Sequence, residues 1–125
     1  MSCESKVIIA NTHRETNKTD KNYGKVYYAE ILCVFNLSCM GSTNGWRSLF
    51  SKEIDFELFI EDGDHSTKED KYGAVMKEAD IREVIQWLET KGAEMNYRRV
   101  PPILAALKAI NPEQWDELHV VHYGY

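Results

Sequence analysis

Apolar and polar positions change rhythm along the chain, and the change separates a strand-forming first part from a helix-forming second part. Residues 6–10, KVIIA, are short, apolar and β-branched, which predicts a first strand. Residues 11–24 are polar and rich in Asn, Thr and Asp, a loop or an exposed hairpin connection. The longest strand-forming stretch is 25–39, where Tyr27, Ala29, Ile31, Cys33, Phe35 and Leu37 alternate with Val26, Tyr28, Glu30, Leu32 and Val34. Both sets are apolar in its second half, the pattern of a central strand covered on both faces. After the turn signal Asn44-Gly45, residues 54–61 alternate cleanly. Ile54, Phe56, Leu58 and Ile60 face one way, and Asp55, Glu57, Phe59 and Glu61 the other. That predicts a half-buried antiparallel strand with one wet face. Asp62-Gly63 then marks a hairpin, with 72–78 as the returning strand.

From residue 80 the period becomes helical. Ile81, Val84, Ile85 and Leu88 form one apolar stripe within 80–92. Asp80 is placed to cap the first turn, Glu83 to complete a capping box, and Gly92 to end the helix. Pro101 and Pro102 open a second helix over 101–110, with Ile103, Leu107 and Ile110 on one side and Asn111-Pro112 as its stop. The last residues, 118–125, carry both signatures. Val120 and Val121 favour a strand, whereas Trp115, Leu118, His119 and His122 fit a helical stripe. Strands come first and helices later, without βαβ alternation. The prediction is a single α+β domain over residues 1–125, with an antiparallel sheet of about four strands in the N-terminal part. Two or three C-terminal helices pack on one face of that sheet.

Charge narrows the functions. Fifteen basic residues against twenty acidic ones give a net charge of −5, a poor balance for direct nucleic-acid binding and a better one for meeting a basic partner. No apolar run approaches the roughly 20 residues that span a bilayer, and the opening residues hold none long enough for a secretory leader. The expectation is a cytoplasmic protein with no membrane association. Cys3, Cys33 and Cys39 are odd in number and form no CxxC pair, so neither a disulfide framework nor a zinc ribbon is suggested.

The candidate chemistry is sparse. Glu61, Asp62, Asp64 and His65 crowd one segment, but counting an EF-hand from Asp62 puts Thr67 at the glycine position and Gly73 at the closing glutamate, so that reading fails. A solvated hairpin loop, an acidic contact surface or a two-carboxylate magnesium site, which would need a phosphate substrate as well, remains. His119 and His122 would share a helix face but not a strand face, and HVVH is not HExxH. No metal site and no cofactor is expected. GxSxG, P-loop and GxGxxG motifs are lacking, and no catalytic residue is assigned. Arg98 and Arg99, which follow Tyr97, make with Lys91 the one local cationic patch of note, suited to a phosphate or carboxylate. Trp46 is either tucked into the core, as large aromatics usually are, or presented to a partner.

These readings converge on a small acidic interaction protein, an inhibitor of the immunity-protein or phage anti-defence type. Such a protein occludes a basic active site or substrate groove of a partner such as a toxin nuclease. Glu57, Glu61, Asp62, Asp64, Glu69 and Asp70 would supply the field, and Trp46, with Arg47 and Phe50, the anchor. The alternative is a nucleotide-type ligand binder using Tyr97, Arg98 and Arg99, with Tyr27 or Tyr28 stacking. A third reading is a small metal-dependent hydrolase with His119 or His65 as base.

Overall fold

A computed structural model describes residues 5–37, 45–59, 66–70, 72–94 and 98–124. The architecture is α+β. Strands β1 (Ser5–Arg14), β2 (Val26–Asn36), β3 (Lys52–Glu53), β4 (Lys77–Ala79) and β5 (Leu118–Gly124) form one five-stranded sheet in the order β2-β1-β5-β4-β3. Every pairing is antiparallel. Helices α1 (Ile81–Trp87) and α2 (Val100–Ala109) complete the fold. Among the described residues no helix is long and apolar enough to cross a membrane.

The ambiguous C-terminal segment is a strand, and it takes the centre. β5 runs between β1 and β4, and all its residues are buried. A strand covered on both faces needs no polar alternation, which is why LHVVHYG carries no clean period-2 signal. The strand predicted over 6–10 continues to Arg14, four residues into the stretch expected to be a loop. Pairing with β2 along the whole stretch, and with β5 as far as Asn11, holds those polar residues extended.

The strand expected at the centre is instead an edge: among the described residues β2 pairs with β1 alone, and Leu32 and Val34 are nearly half exposed. A bulge explains its misleading two-sided pattern. Ile9 lies opposite Cys33 and Ala10 opposite Ile31, so Leu32 is an extra residue in the ladder. Ahead of the bulge Ala29 and Ile31 pack on one core cluster, and beyond it Cys33 and Phe35 pack on the other.

The sheet therefore has two cores. On one face Val7, Ile9, Leu118 and Val120 meet Ile81, Val84, Ile85 and Leu88 of the first helical segment and Ile103 and Leu107 of α2. On the other, Ile8, Ala10, Val121 and Tyr123 are covered by Ile54, Phe56, Leu58 and Met76. The alternation predicted for 54–59 holds: Ile54, Phe56 and Leu58 are buried while Asp55, Glu57 and Phe59 are exposed. Ile60 lies outside the described residues. The segment joins the structure through the Ile54 N–H to the Met76 carbonyl and an antiparallel bridge between Leu58 and Thr67.

Asp80 caps α1, accepting from the Arg82 backbone N–H at 2.7 Å. Gly92 does not end the helix in a left-handed turn. The helix widens into a π turn over Leu88–Gly92, and Gly92 is buried. A Cβ there would stand 3.2 Å from both the Trp87 ring and a Val100 methyl, so the glycine serves close packing of α2 on the helical segment. Pro101 and Pro102 begin α2 as expected.

Candidate functional site

Structure divides the residues nominated from the sequence. Trp46 is fully buried, its ring edge-on to Phe50 at 5.2 Å and to Trp87 at 5.0 Å, and Phe50 is buried with it. The tucked alternative is therefore the one realised, and neither ring is a presented anchor. The cause is geometric: Arg47–Leu49 forms a 3-10 turn that folds the segment back onto the helix-side core. Arg47, Glu57 and Glu69 are exposed. Glu57 accepts from the Ser66 hydroxyl. Asp70 is spent locally, accepting from the backbone N–H groups of Tyr72, Ala74 and Gly124. Glu61, Asp62, Asp64, His65, Tyr97, Cys3 and Cys39 lie outside the described residues.

The nucleotide-type arrangement built on Arg98 and Arg99 does not assemble with Tyr27. Arg99 donates to the Asn36 carbonyl at one end of β2. Tyr27 stands at the other end, roughly 30 Å away at the rise of an extended strand. The Tyr28 side chain is not among those described. Cys33 is half-buried, and burial pushes its thiol above the ordinary value, away from the reactive thiolate.

The two C-terminal histidines point to opposite faces, as a strand requires. His119 enters the core on the 54–59 side and lies 4.6 Å from the Phe56 ring. Its Nε2 is 2.9 Å from the Thr12 hydroxyl and its Nδ1 3.1 Å from both carboxylate oxygens of Glu78. Hydroxyl, imidazole and carboxylate thus come from β1, β5 and β4 in the order a nucleophile–base–orienter relay uses. Thr12, however, is 1% exposed and His119 9%. A nucleophile sealed from substrate performs no transfer, and the cluster reads as a polar staple across three strands. Its members are dispersed over more than a hundred residues, so no local motif announces it.

His122 enters the helix-side core, 5.3 Å from the Phe50 ring, with Nε2 3.3 Å from the Ser5 hydroxyl. Burial first, and the Arg47 guanidinium second, lower its pKa from 6.5 to about 4, with Asp70 opposing. The folded protein therefore keeps a neutral imidazole where the unfolded chain takes a proton. Stability is fully present above about pH 6.5 and falls as the pH drops towards about 4, because the unfolded state then binds more protons. The whole window is worth roughly 3 kcal/mol, about 2 kcal/mol of it lost by about pH 5. Urea denaturation across that range is expected to show the decline, and H122F to lack most of it.

Among the described residues the largest aromatic exposure lies elsewhere. Tyr27, 62% exposed, and Phe59, 58% exposed, line one cleft of about 520 Å³ between the start of β2 and the 54–59 segment. Arg14 crosses that cleft to Asp55 with two hydrogen bonds, 3.0 and 3.3 Å, and also donates to the Gly24 carbonyl. Bonding to Arg14 holds the Asp55 carboxyl below its ordinary value. Tyr27 donates its hydroxyl to Glu15. Lys25, Lys68 and Glu57 supply the remaining charge, so the cleft is mixed in sign. Tyr23, 52% exposed, belongs to the turn leading into β2. Phe59 was visible in the sequence as the apolar residue on a wet strand face, the signal that could have nominated it.

Among the described residues no three His, Cys, Asp or Glu side chains group as a metal site. No protein-family model, curated protein or solved structure matches the chain.

Proposed function

We propose that the chain is an interaction protein that acts by occlusion, an inhibitor of the immunity-protein or phage anti-defence type directed at a partner with a basic active site or groove. The observation that carries the reading is the pair of half-exposed aromatics, Tyr27 and Phe59, lining one cleft beside the carboxylate of Glu57. Aromatic rings in a polar surround are what binding hot spots are made of. Each ring has on the order of 100 Å² to bury, about 2.5 kcal/mol of apolar transfer. The anchors thus move from Trp46 and Phe50 to Tyr27 and Phe59, while Glu57 and Glu69 stay on the surface.

Charge plays a different part from the rings. The cleft is of mixed sign, and the net charge of −5 belongs to the molecule as a whole. It steers a basic partner during encounter, and the rings hold it afterwards. A panel of nucleases assayed for binding and inhibition tests this. The expected result is inhibition of at least one, with an association rate that falls steeply as salt is added and a dissociation rate that changes little. Binding indifferent to ionic strength would remove the electrostatic part, and a panel with no inhibited member would remove the nuclease target.

A further inference from the structure

A second cleft, of about 570 Å³, opens where the 47–51 turn, residues 70–77 and the end of β5 meet. Its lining carries two cations, Arg47 and Lys77, against one carboxylate, Asp70. Asp70 already accepts three backbone N–H groups, which occupy both of its oxygens. Glu53 lies directly opposite Lys77 across β3 and β4, yet no ion pair joins them, and among the described residues neither cation has an ion-pair partner. Ser48 and Ser51 line the same space, the Ser48 hydroxyl donating to the Gly45 carbonyl. Phe50 and Met76, both buried, form an apolar floor.

Register brings His122 to the same wall, since it pairs directly with Lys77. Its Nε2 faces the Ser5 hydroxyl, and among the described residues its Nδ1 makes no hydrogen bond. When Ser5 donates to Nε2, the imidazole proton resides on Nδ1 and is available as a donor. A guanidinium, an ammonium, the Ser51 hydroxyl and an imidazole are groups that hold an oxyanion, and the guanidinium offers a two-pronged fork. The volume falls within the range of small-molecule sites and exceeds what a bare anion fills.

We infer that this cleft binds a small organic anion, its phosphate or carboxylate head held by Arg47 and Lys77 and its apolar body resting on Phe50 and Met76. The site is separate from the Tyr27–Phe59 cleft, and the variants that test one leave the other intact.

Calorimetric titration with phenyl phosphate, benzoate, inorganic phosphate and benzyl alcohol tests the inference. Saturable binding of phenyl phosphate or benzoate is expected, the tighter of the two identifying the head group, with benzyl alcohol silent. R47A and K77A, both changes at exposed positions, are each expected to weaken binding by about tenfold while leaving the melting temperature unchanged. Nitrogen shifts of the His122 ring are expected to move on addition of the bound probe. No saturable binding at millimolar concentrations, or equal binding by the R47A/K77A double variant, would overturn the site. Inorganic phosphate binding as tightly as phenyl phosphate would overturn the apolar half of it.

Discussion

Replacing Trp46 by alanine is expected to cost about 3–5 kcal/mol of stability, the range for deleting a buried aromatic. That is a large part of what a domain of this size has, about 5–15 kcal/mol. The variant should populate unfolded chain at moderate temperature. The loss follows from position: Trp46 is fully buried between Phe50 and Trp87 and ties the 3-10 turn to the helix-side core. Trp46→Phe separates packing from polarity. Among the described residues the buried indole Nε1–H has no acceptor, a defect that costs on the order of 1–3 kcal/mol. Phenylalanine keeps a ring at the same place and removes that defect, so W46F is expected to lose less than half as much as W46A. Urea denaturation of the three proteins measures both. A W46A chain as stable as the parent would show that the ring is not a core element.

The second large effect belongs to the opposite face. His119→Leu removes the partner of Glu78, whose side chain is only 13% exposed, and leaves that carboxylate without its two hydrogen bonds to Nδ1. Leaving a part-buried carboxylate without its hydrogen-bond partner costs about 1–3 kcal/mol, more when the group is charged. Changing both residues together, H119L with E78L, is expected to recover much of the loss, because an apolar pair of similar volume removes the charge altogether. A double-mutant cycle in denaturant reads this coupling directly. An additive cycle would mean that the hydrogen bonds of 3.1 Å between Nδ1 and the carboxylate hold nothing together.

Both effects concern residues whose setting was hidden in the sequence, and the reason is the same. The stripe Ile81, Val84, Ile85 and Leu88, the Asp80 cap and the two prolines of α2 are local signals, and the helices form where they lie. The alternation over 54–59 is local too, and its burial follows it residue by residue. β5 is different. Its neighbours are Ser5–Asn11 and Lys77–Ala79, far away along the chain, and only their pairing makes it central. The Leu32 bulge likewise turns one edge strand towards two cores, a switch that mimics a doubly covered strand when apolar positions alone are counted. Clusters such as Thr12–His119–Glu78 exist only through that topology. Gly92 resembled a helix stop because glycine often is one, whereas its role here depends on what packs against it.

The charged surface follows a similar division. Net charge and the carboxylates of the wet face were legible residue by residue. Phe59 was legible as well, from its place on that wet face, but the burial of Trp46 was not, since Trp46 follows a turn signal that suits either burial or display. The proposed interaction reading rests on Tyr27 and Phe59 in place of Trp46 and Phe50, which are buried.

The most direct test of that reading compares the parent chain with Y27A/F59A against a nuclease that the parent inhibits. Both rings are more than half exposed, so the melting temperature should hold. If they anchor the partner, each is worth about 2 kcal/mol and the dissociation constant should rise by several hundredfold or more, on the order of three decades at most. Inhibition by the double variant equal to that of the parent would contradict it.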